Sequence, residues 1–167
     1  MKRTMTPRGY AAVKDELRRL KAQRPEIARA IEIARGHGDL SENADYDAAK
    51  NKSGLTEAKI RELESMLAQA EVIDPGALKN PTKVVFGVSV EVEDIDAGER
   101  KTVTIVGSEE SDVSRGWISY ESPLGRALIG KASGETVQVK LPGGTREYEI
   151  GEIFVDYNWA PDGGEQK

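Results

Sequence analysis

Asp39 and Glu42 stand three residues apart in the string His37-Gly38-Asp39-Leu40-Ser41-Glu42-Asn43-Ala44-Asp45-Tyr46, which interrupts two long stretches of heptad-spaced residues. Side chains three apart on a helix lie about 5–6 Å from one another, so these two carboxylates can converge on one cation. Mg²⁺ takes oxygen ligands, keeps several waters and is usually held by one or two carboxylates plus substrate phosphates. A pair of acids on an exposed tip is too few ligands for a self-sufficient site, but it can finish a site whose other ligands belong to a partner. The same spacing is that of a capping box, with Asp39 accepting the third amide of a helix and Glu42 reaching back to the first. The helix dipole also favours acids there, by roughly 0.3–1 kcal/mol each. Spacing alone leaves both readings open. Ser41 and Asn43 read either as turn formers or as groups that orient a water or bond a substrate. Asp45 and Asp47 read as solvating the helix, and His37 as a turn residue. Arg35 and Lys50 flank the acids on opposite helices, where both could steady a phosphate chain.

The elements that must present these acids are two helices. Thr6-Pro7 opens the first with a hydroxyl at the N-cap and proline in the first turn. Tyr10, Val13, Leu17, Leu20, Arg24, Ile27, Ile31 and Ala34 then fall at alternating steps of three and four, a heptad seam with one polar interruption. Pro25 lies inside this run and is expected to bend the helix. Tyr46, Ala49, Ser53, Thr56, Ile60, Leu63, Leu67 and Ala70 continue the same logic in the second helix. About 28 helical residues make a rod of roughly 42 Å, and the short Gly36-His37-Gly38 break forces the two rods antiparallel. Asp74-Pro75-Gly76 is expected to end the second helix and begin a linker that Asn80-Pro81 completes.

Beyond it the period changes to two. Val88, Val90 and Val92 alternate with polar residues, as do Val103 and Ile105; Trp117 to Tyr120 reads as a third strand. Ser122-Pro123 caps a short helix ending at Gly130, and Val137 to Leu141, the Pro142-Gly143-Gly144 turn and Tyr148 to Ile153 form a hairpin. The expected fold class is α+β in two domains: an antiparallel coiled-coil hairpin with an acidic tip over residues 1–76, and a small domain built on an antiparallel sheet over residues 82–158. Residues 159–167 are expected to be a disordered tail.

Composition narrows the chemistry. The chain has 167 residues, 32% charged and 38% hydrophobic, with no cysteine and one histidine. That excludes a disulfide framework, a thiolate zinc site and a thiol nucleophile, and leaves little for a histidine-based triad. No run approaches the ~20 apolar residues of a membrane span, and without a signal-like apolar start a cytoplasmic location is expected. The net charge of −5 is uneven: residues 1–79 hold 15 Lys/Arg against 13 Asp/Glu, and residues 80–167 hold 9 against 16. An acidic distal half argues against free duplex DNA as the main partner.

The tip string Gly38 to Tyr46 resembles the motif of the GreA/GreB bacterial transcript-cleavage factors. The resemblance covers nearly the whole chain, through Thr6-Pro7 with Gly9, Arg24-Pro25-Glu26, Val85-Phe86-Gly87, Ile105-Val106-Gly107, Ser122-Pro123 followed by Arg126-Ala127-Leu128, and Pro142-Gly143-Gly144. Ser41 and Ala44-Asp45-Tyr46 lean to the GreB branch; Leu40, Ile129-Gly130-Lys131 and the Pro-Gly-Gly turn lean to GreA, which the modest basic surface of the stalk also favours. The resemblance implies a coiled coil that enters the secondary channel of RNA polymerase and a distal domain of the FK506-binding-protein-like (FKBP-like) fold that docks at the channel rim. It implies that Asp39 and Glu42 help hold a second Mg²⁺ and position the attacking water, so that a backtracked polymerase cleaves its own transcript. It assigns Ser41, Asn43 and Tyr46 to the tip motif, Arg35 and Lys50 to basic positions facing the RNA, and Glu121, Ser122 and Pro123 to docking on polymerase. Glu121 departs from the aspartate of some members. The implied partners are bacterial RNA polymerase and the nascent RNA 3′ end, with no membrane. The chain is expected to be a monomeric accessory factor rather than an enzyme, with Mg²⁺ held only in the complex.

Three other functions compete. A channel-occupying regulator without cleavage would dock the same way but gives no use to the acid pair. A prolyl isomerase needs an aromatic-walled pocket, whereas most distal aromatics sit at strand positions that read as core. A coiled-coil adaptor explains the stalk but not its tip.

Overall fold

The computed structural model describes residues 2–36 and 43–155, so the expected tail lies outside the described residues. The chain forms two compact units, one of residues 11–70 and one that joins residues 2–10 to those from 71 onward.

The first unit is helical. Helix α1 (Pro7–Ala22) starts where Thr6 accepts the Gly9 amide at 2.9 Å through its hydroxyl and the Tyr10 amide at 2.9 Å through its carbonyl. Where a bend was expected, the helix breaks. The Gln23 amide bonds Leu20 instead of continuing the four-residue pattern, and α2 (Arg24–Arg35) restarts with Pro25 in its first turn. Proline has no amide hydrogen to give the preceding turn, and at a helix start none is required. Helix α3 (Ala44–Gln69) returns alongside. Val13, Leu20, Ile27 and Ala34 are buried at seven-residue intervals, and Thr56, Ile60 and Leu63 are buried on α3. Cross-helix pairs prove the antiparallel sense: Lys21 meets Glu64, Arg24 meets Glu57, and Ala34 meets Asn43. Arg24, the polar interruption of the seam, is exposed and makes two 2.8 Å bonds to the Glu57 carboxylate, holding that carboxyl below its ordinary range.

Helix α3 ends earlier than expected, at Gln69 rather than at Asp74. The chain becomes extended and forms β2 (Ala70–Val72), which pairs with β1 (Arg3–Met5); the Ile73 amide adds a 2.8 Å bond to the Met5 carbonyl. Asp74 instead caps a single 3₁₀ turn at Pro75–Ala77 by accepting the Gly76 amide at 2.9 Å.

The second unit holds a five-stranded sheet of β3 (Ser89–Asp94), β4 (Glu99–Val106), β5 (Trp117–Ser119), β6 (Thr136–Leu141) and β7 (Gly144–Phe154), in the order β5-β4-β3-β7-β6. All pairs are antiparallel except one: β5 runs parallel to β4 at the sheet edge, with Ile105 opposite Ile118. Val90 and Val92 of β3, Val103 and Ile105 of β4, Val137 and Val139 of β6, and Tyr148 and Ile150 of β7 supply one buried face, covered by Leu128 of the short helix α4 (Pro123–Leu128). Each such aliphatic side chain gains about 1.5–3 kcal/mol from burial. The β3–β4 turn is tied by Asp94, whose carboxylate accepts the Asp96 and Ala97 amides at 3.1 Å and the Arg146 guanidinium at 2.8 Å, bonds that hold its carboxyl below the usual value. The class is α+β, with a helical hairpin followed by a sheet domain.

Candidate functional site

Asp39, Ser41 and Glu42 lie outside the described residues, but both helix ends that flank them are described. α2 runs to Arg35 and α3 begins at Ala44. The N-cap that spacing assigned to Asp39 is filled by Asn43. Its Oδ1 accepts the Tyr46 amide at 3.0 Å, and its Nδ2 donates to the Ala34 carbonyl at 2.5 Å. Asp and Asn cap about equally well, and the second bond uses an amide hydrogen that a carboxylate does not have. Tyr46 is half-buried one turn into α3, with the Lys50 ammonium 6.0 Å from its ring centroid. Asp45 and Asp47 occupy the first turn of α3, where the dipole favours them. Arg35 is exposed at the last turn of α2, 4.0 Å from Glu32. The two expected cations, Arg35 and Lys50, therefore stand one on each flank of the acidic segment. Among the described residues no group of three or more His, Cys, Asp or Glu could hold a metal ion. The two carboxylates expected to meet Mg²⁺, Asp39 and Glu42, lie outside the described residues; carboxylate oxygens are the donor type that ion accepts, and two are too few to complete its shell.

The expected docking residues share one loop between β5 and α4. Ser122 caps α4, accepting the Gly125 amide at 3.1 Å while its hydroxyl donates to the Ser119 carbonyl at 2.7 Å. Glu121 is exposed but held: its amide donates to Ser119 Oγ at 3.0 Å and its carboxylate accepts from Ser108 Oγ at 3.0 Å. Pro123 is exposed beside it. A Cβ at Gly125 would lie 2.2 Å from the Ser119 carbonyl oxygen, so glycine is required there. Phe86 and Tyr120 meet edge-to-face at 5.6 Å and are half-buried, whereas Trp117 and Tyr148 are buried in the cores.

A third cluster escaped the sequence reading. Glu109 and Glu110 follow Gly107 after β4, and their side chains are only 8% and 7% exposed. Arg3 approaches Glu109 to 3.7 Å, Arg8 approaches Glu110 to 4.0 Å, and the Thr6 hydroxyl donates to Glu110. Burial raises both carboxyls above the ordinary glutamate value. Arg8 is itself buried, which lowers its pKa, and its guanidinium lies 4.8 Å from the Trp117 ring centroid; Arg115 lies 4.6 Å from the same ring. A Cβ at Gly107 would stand 2.1 Å from a Glu109 carboxylate oxygen, so this glycine makes the room for that acid. The signal was weak: two acids after a Gly beyond an apolar strand, with cationic partners at the other end of the chain.

Comparison with known proteins covers both units. Residues 3–72 match the family model described as transcription elongation factor, N-terminal (GreA/GreB), and residues 79–154 match the one described as transcription elongation factor, GreA/GreB, C-terminal. The chain is 52% identical over 147 residues to transcription elongation factor GreA of Ralstonia nicotianae, covering 87% of this chain and 93% of that one. It is 51% identical over 142 residues to the protein of the same name from Desulfovibrio desulfuricans, covering 85% and 87%. Among solved structures, GreA factor homolog 1 (Gfh1) of Thermus thermophilus aligns at 28% identity over 92% of this chain and 99% of that chain, with a TM-score of 0.43.

Proposed function

Because this chain belongs to the GreA/GreB family of transcription elongation factors, we propose that it acts on bacterial RNA polymerase as an accessory factor that stimulates endonucleolytic cleavage of backtracked transcripts. Its hairpin enters the secondary channel, and Asp39 and Glu42 are donated to the polymerase active centre. The observation that carries this reading is the junction of the two helix ends through Ala34 and Asn43. It supports reading residues 36–43 as the connection between two antiparallel helices, from which acids could be delivered into another molecule. Mg²⁺ bound there, with the rest of its ligands from polymerase, would supply Lewis-acid activation of water and neutralise charge developing on the phosphate. Asp39 and Glu42 hold and orient. Arg35 and Lys50, one on each flank, face the RNA phosphates and offset their charge. Glu121, Ser122 and Pro123 present a rigid loop for docking at the channel rim.

The test is RNA shortening in a stalled, backtracked complex. Asp39→Ala and Glu42→Ala should each abolish stimulation while still competing with the wild-type factor for polymerase. Undiminished cleavage by both variants would sink the reading. Inhibition by the wild-type chain without shortened RNA would establish the non-cleaving regulator instead.

A further inference from the structure

Strands β4 and β5 run parallel with Val106 opposite Ser119, so the chain leaves both strands in the same direction at one edge of the sheet. Two residues past each, Ser108 and Glu121 stand side by side. Three hydrogen bonds link this corner. The Glu121 amide meets Ser119 Oγ at 3.0 Å, Ser119 Oγ meets Ser108 Oγ at 2.9 Å, and Ser108 Oγ meets the Glu121 carboxylate oxygen Oε1 at 3.0 Å. Their directions are fixed at both ends. A backbone amide only donates, a carboxylate only accepts, and a hydroxyl has a single hydrogen to give. Ser108 therefore gives its hydrogen to Oε1 and accepts from Ser119, whose oxygen accepts the Glu121 amide. The bonds close a ring that begins and ends on Glu121, and bonds aligned in this way polarise and strengthen one another. Oε2 takes no part in the ring.

We propose that Ser108 and Ser119 are positioning residues for docking, which hold the Glu121 side chain in one rotamer and leave Oε2 for a guanidinium or ammonium group of polymerase. The inference rests on the functional reading above and extends it to a second segment of chain. Both serines act through the acid rather than by a contact of their own. A side chain already fixed loses less rotamer freedom on binding, which is the gain of preorganisation. The ring also selects its acid. Aspartate is shorter by one carbon–carbon bond, about 1.5 Å, and with its amide still on Ser119 its carboxylate falls short of Ser108. Glutamate at 121 and serine at 108 are a matched pair, which gives the departure from aspartate a structural reason.

The backbone of the corner has supports besides the ring. Ser111 donates to the Ser108 carbonyl at 3.0 Å and Ser122 to the Ser119 carbonyl at 2.7 Å, so removing either Oγ should leave the loop folded. Ser108→Ala opens the ring, whereas Ser108→Thr keeps the hydroxyl. In the free chain, the Glu121 methylene protons should give separate NMR signals in the wild type and in Ser108→Thr, and should merge in Ser108→Ala. On backtracked polymerase complexes, Ser108→Ala, Ser119→Ala and Glu121→Asp should each raise the factor concentration for half-maximal RNA shortening by about 2- to 10-fold, the range of one net hydrogen bond. The maximal rate should not change. A serine that acts through Glu121 has nothing left to act on once that acid is gone, so adding Ser108→Ala to Glu121→Ala should cause no further loss.

Wild-type half-maximal concentrations in Ser108→Ala and Ser119→Ala would overturn the proposal. So would a full further loss when Ser108→Ala is added to Glu121→Ala, which would make Ser108 a contact in its own right. Glu121 methylene signals left unchanged by Ser108→Ala would overturn it as well. The wild-type chain run in parallel keeps the two ideas apart. If it does not act on polymerase at all, the functional reading fails and the docking role falls with it; if it acts while both serine variants match it, only the positioning role fails.

Discussion

Thr6 donates its hydroxyl hydrogen to the carboxylate of Glu110 across 104 positions of chain. Thr6 also accepts the Gly9 amide that opens α1, so within the second unit one side chain both caps the start of the helix and bonds the acid beyond β4. The carboxylate it meets is buried, and a buried acid left without its donor costs about 1–3 kcal/mol. Thr6→Val should therefore destabilise by about that amount, read as a fall in Tm and as faster amide exchange through β1.

The neighbouring acid sets a dependence on pH. Burial raises Glu109 and Glu110 above the unfolded glutamate value. Groups raised in this way give their full contribution to stability below the unfolded pKa and lose it as pH rises through the folded one. Glu109→Gln removes a charge that is buried beside a single long-range arginine. Its Tm should match the wild type near pH 4 and exceed it at pH 8. A deficit at pH 8 that fades toward pH 4 would mean that the attraction of Arg3 outweighs burial.

Two substitutions in the hairpin should differ widely. Ile60 is 1% exposed on the seam, and Ile60→Ala should cost about 2–5 kcal/mol through lost burial and the cavity left behind. Arg24→Ala removes a well-formed but exposed pair with Glu57, a type of interaction that water and salt screen, and should leave stability almost unchanged. Denaturant melts at low and high ionic strength would measure both.

The docking loop should control affinity rather than chemistry. Glu121→Ala leaves Ser122 as the α4 cap and should raise the concentration needed for half-maximal cleavage without changing the maximal rate. A fall in maximal rate at saturation would place Glu121 in the catalytic geometry instead.

Gly125→Ala tests the shape of that loop. The added methyl meets the Ser119 carbonyl oxygen at 2.2 Å, and backbone must move to admit it. A loss of about 1–3 kcal/mol is expected, together with weaker binding to polymerase. An unchanged Tm would show that the loop adapts freely.

Periodicity made most of this architecture legible in advance. Val13, Leu20, Ile27 and Ala34 mark a seam by spacing alone, and Val88, Val90 and Val92 mark a strand, because each pattern repeats several times within one element. The Ser122 cap was readable because its signal is local. What could not be read depends on distant partners or on too few residues. β1 and β2 are three residues each, too short to show a period. The parallel pairing of β5 with β4 is a choice of neighbour that alternation does not encode. Asp39 and Asn43 are equally good cap types in sequence, and the bond from Asn43 to the Ala34 carbonyl joins two helix ends, a contact that spacing does not encode. Glu109 and Glu110 look like surface acids until Arg3, Thr6 and Arg8 are brought to them.

The break at Gln23 and the bond at Asn43 lie far apart in sequence, and the bond has a consequence of its own. By joining Ala34 to Asn43, it ties the last turn of α2 to the first turn of α3, so neither end can open without breaking the bond: the two turns fray together or not at all.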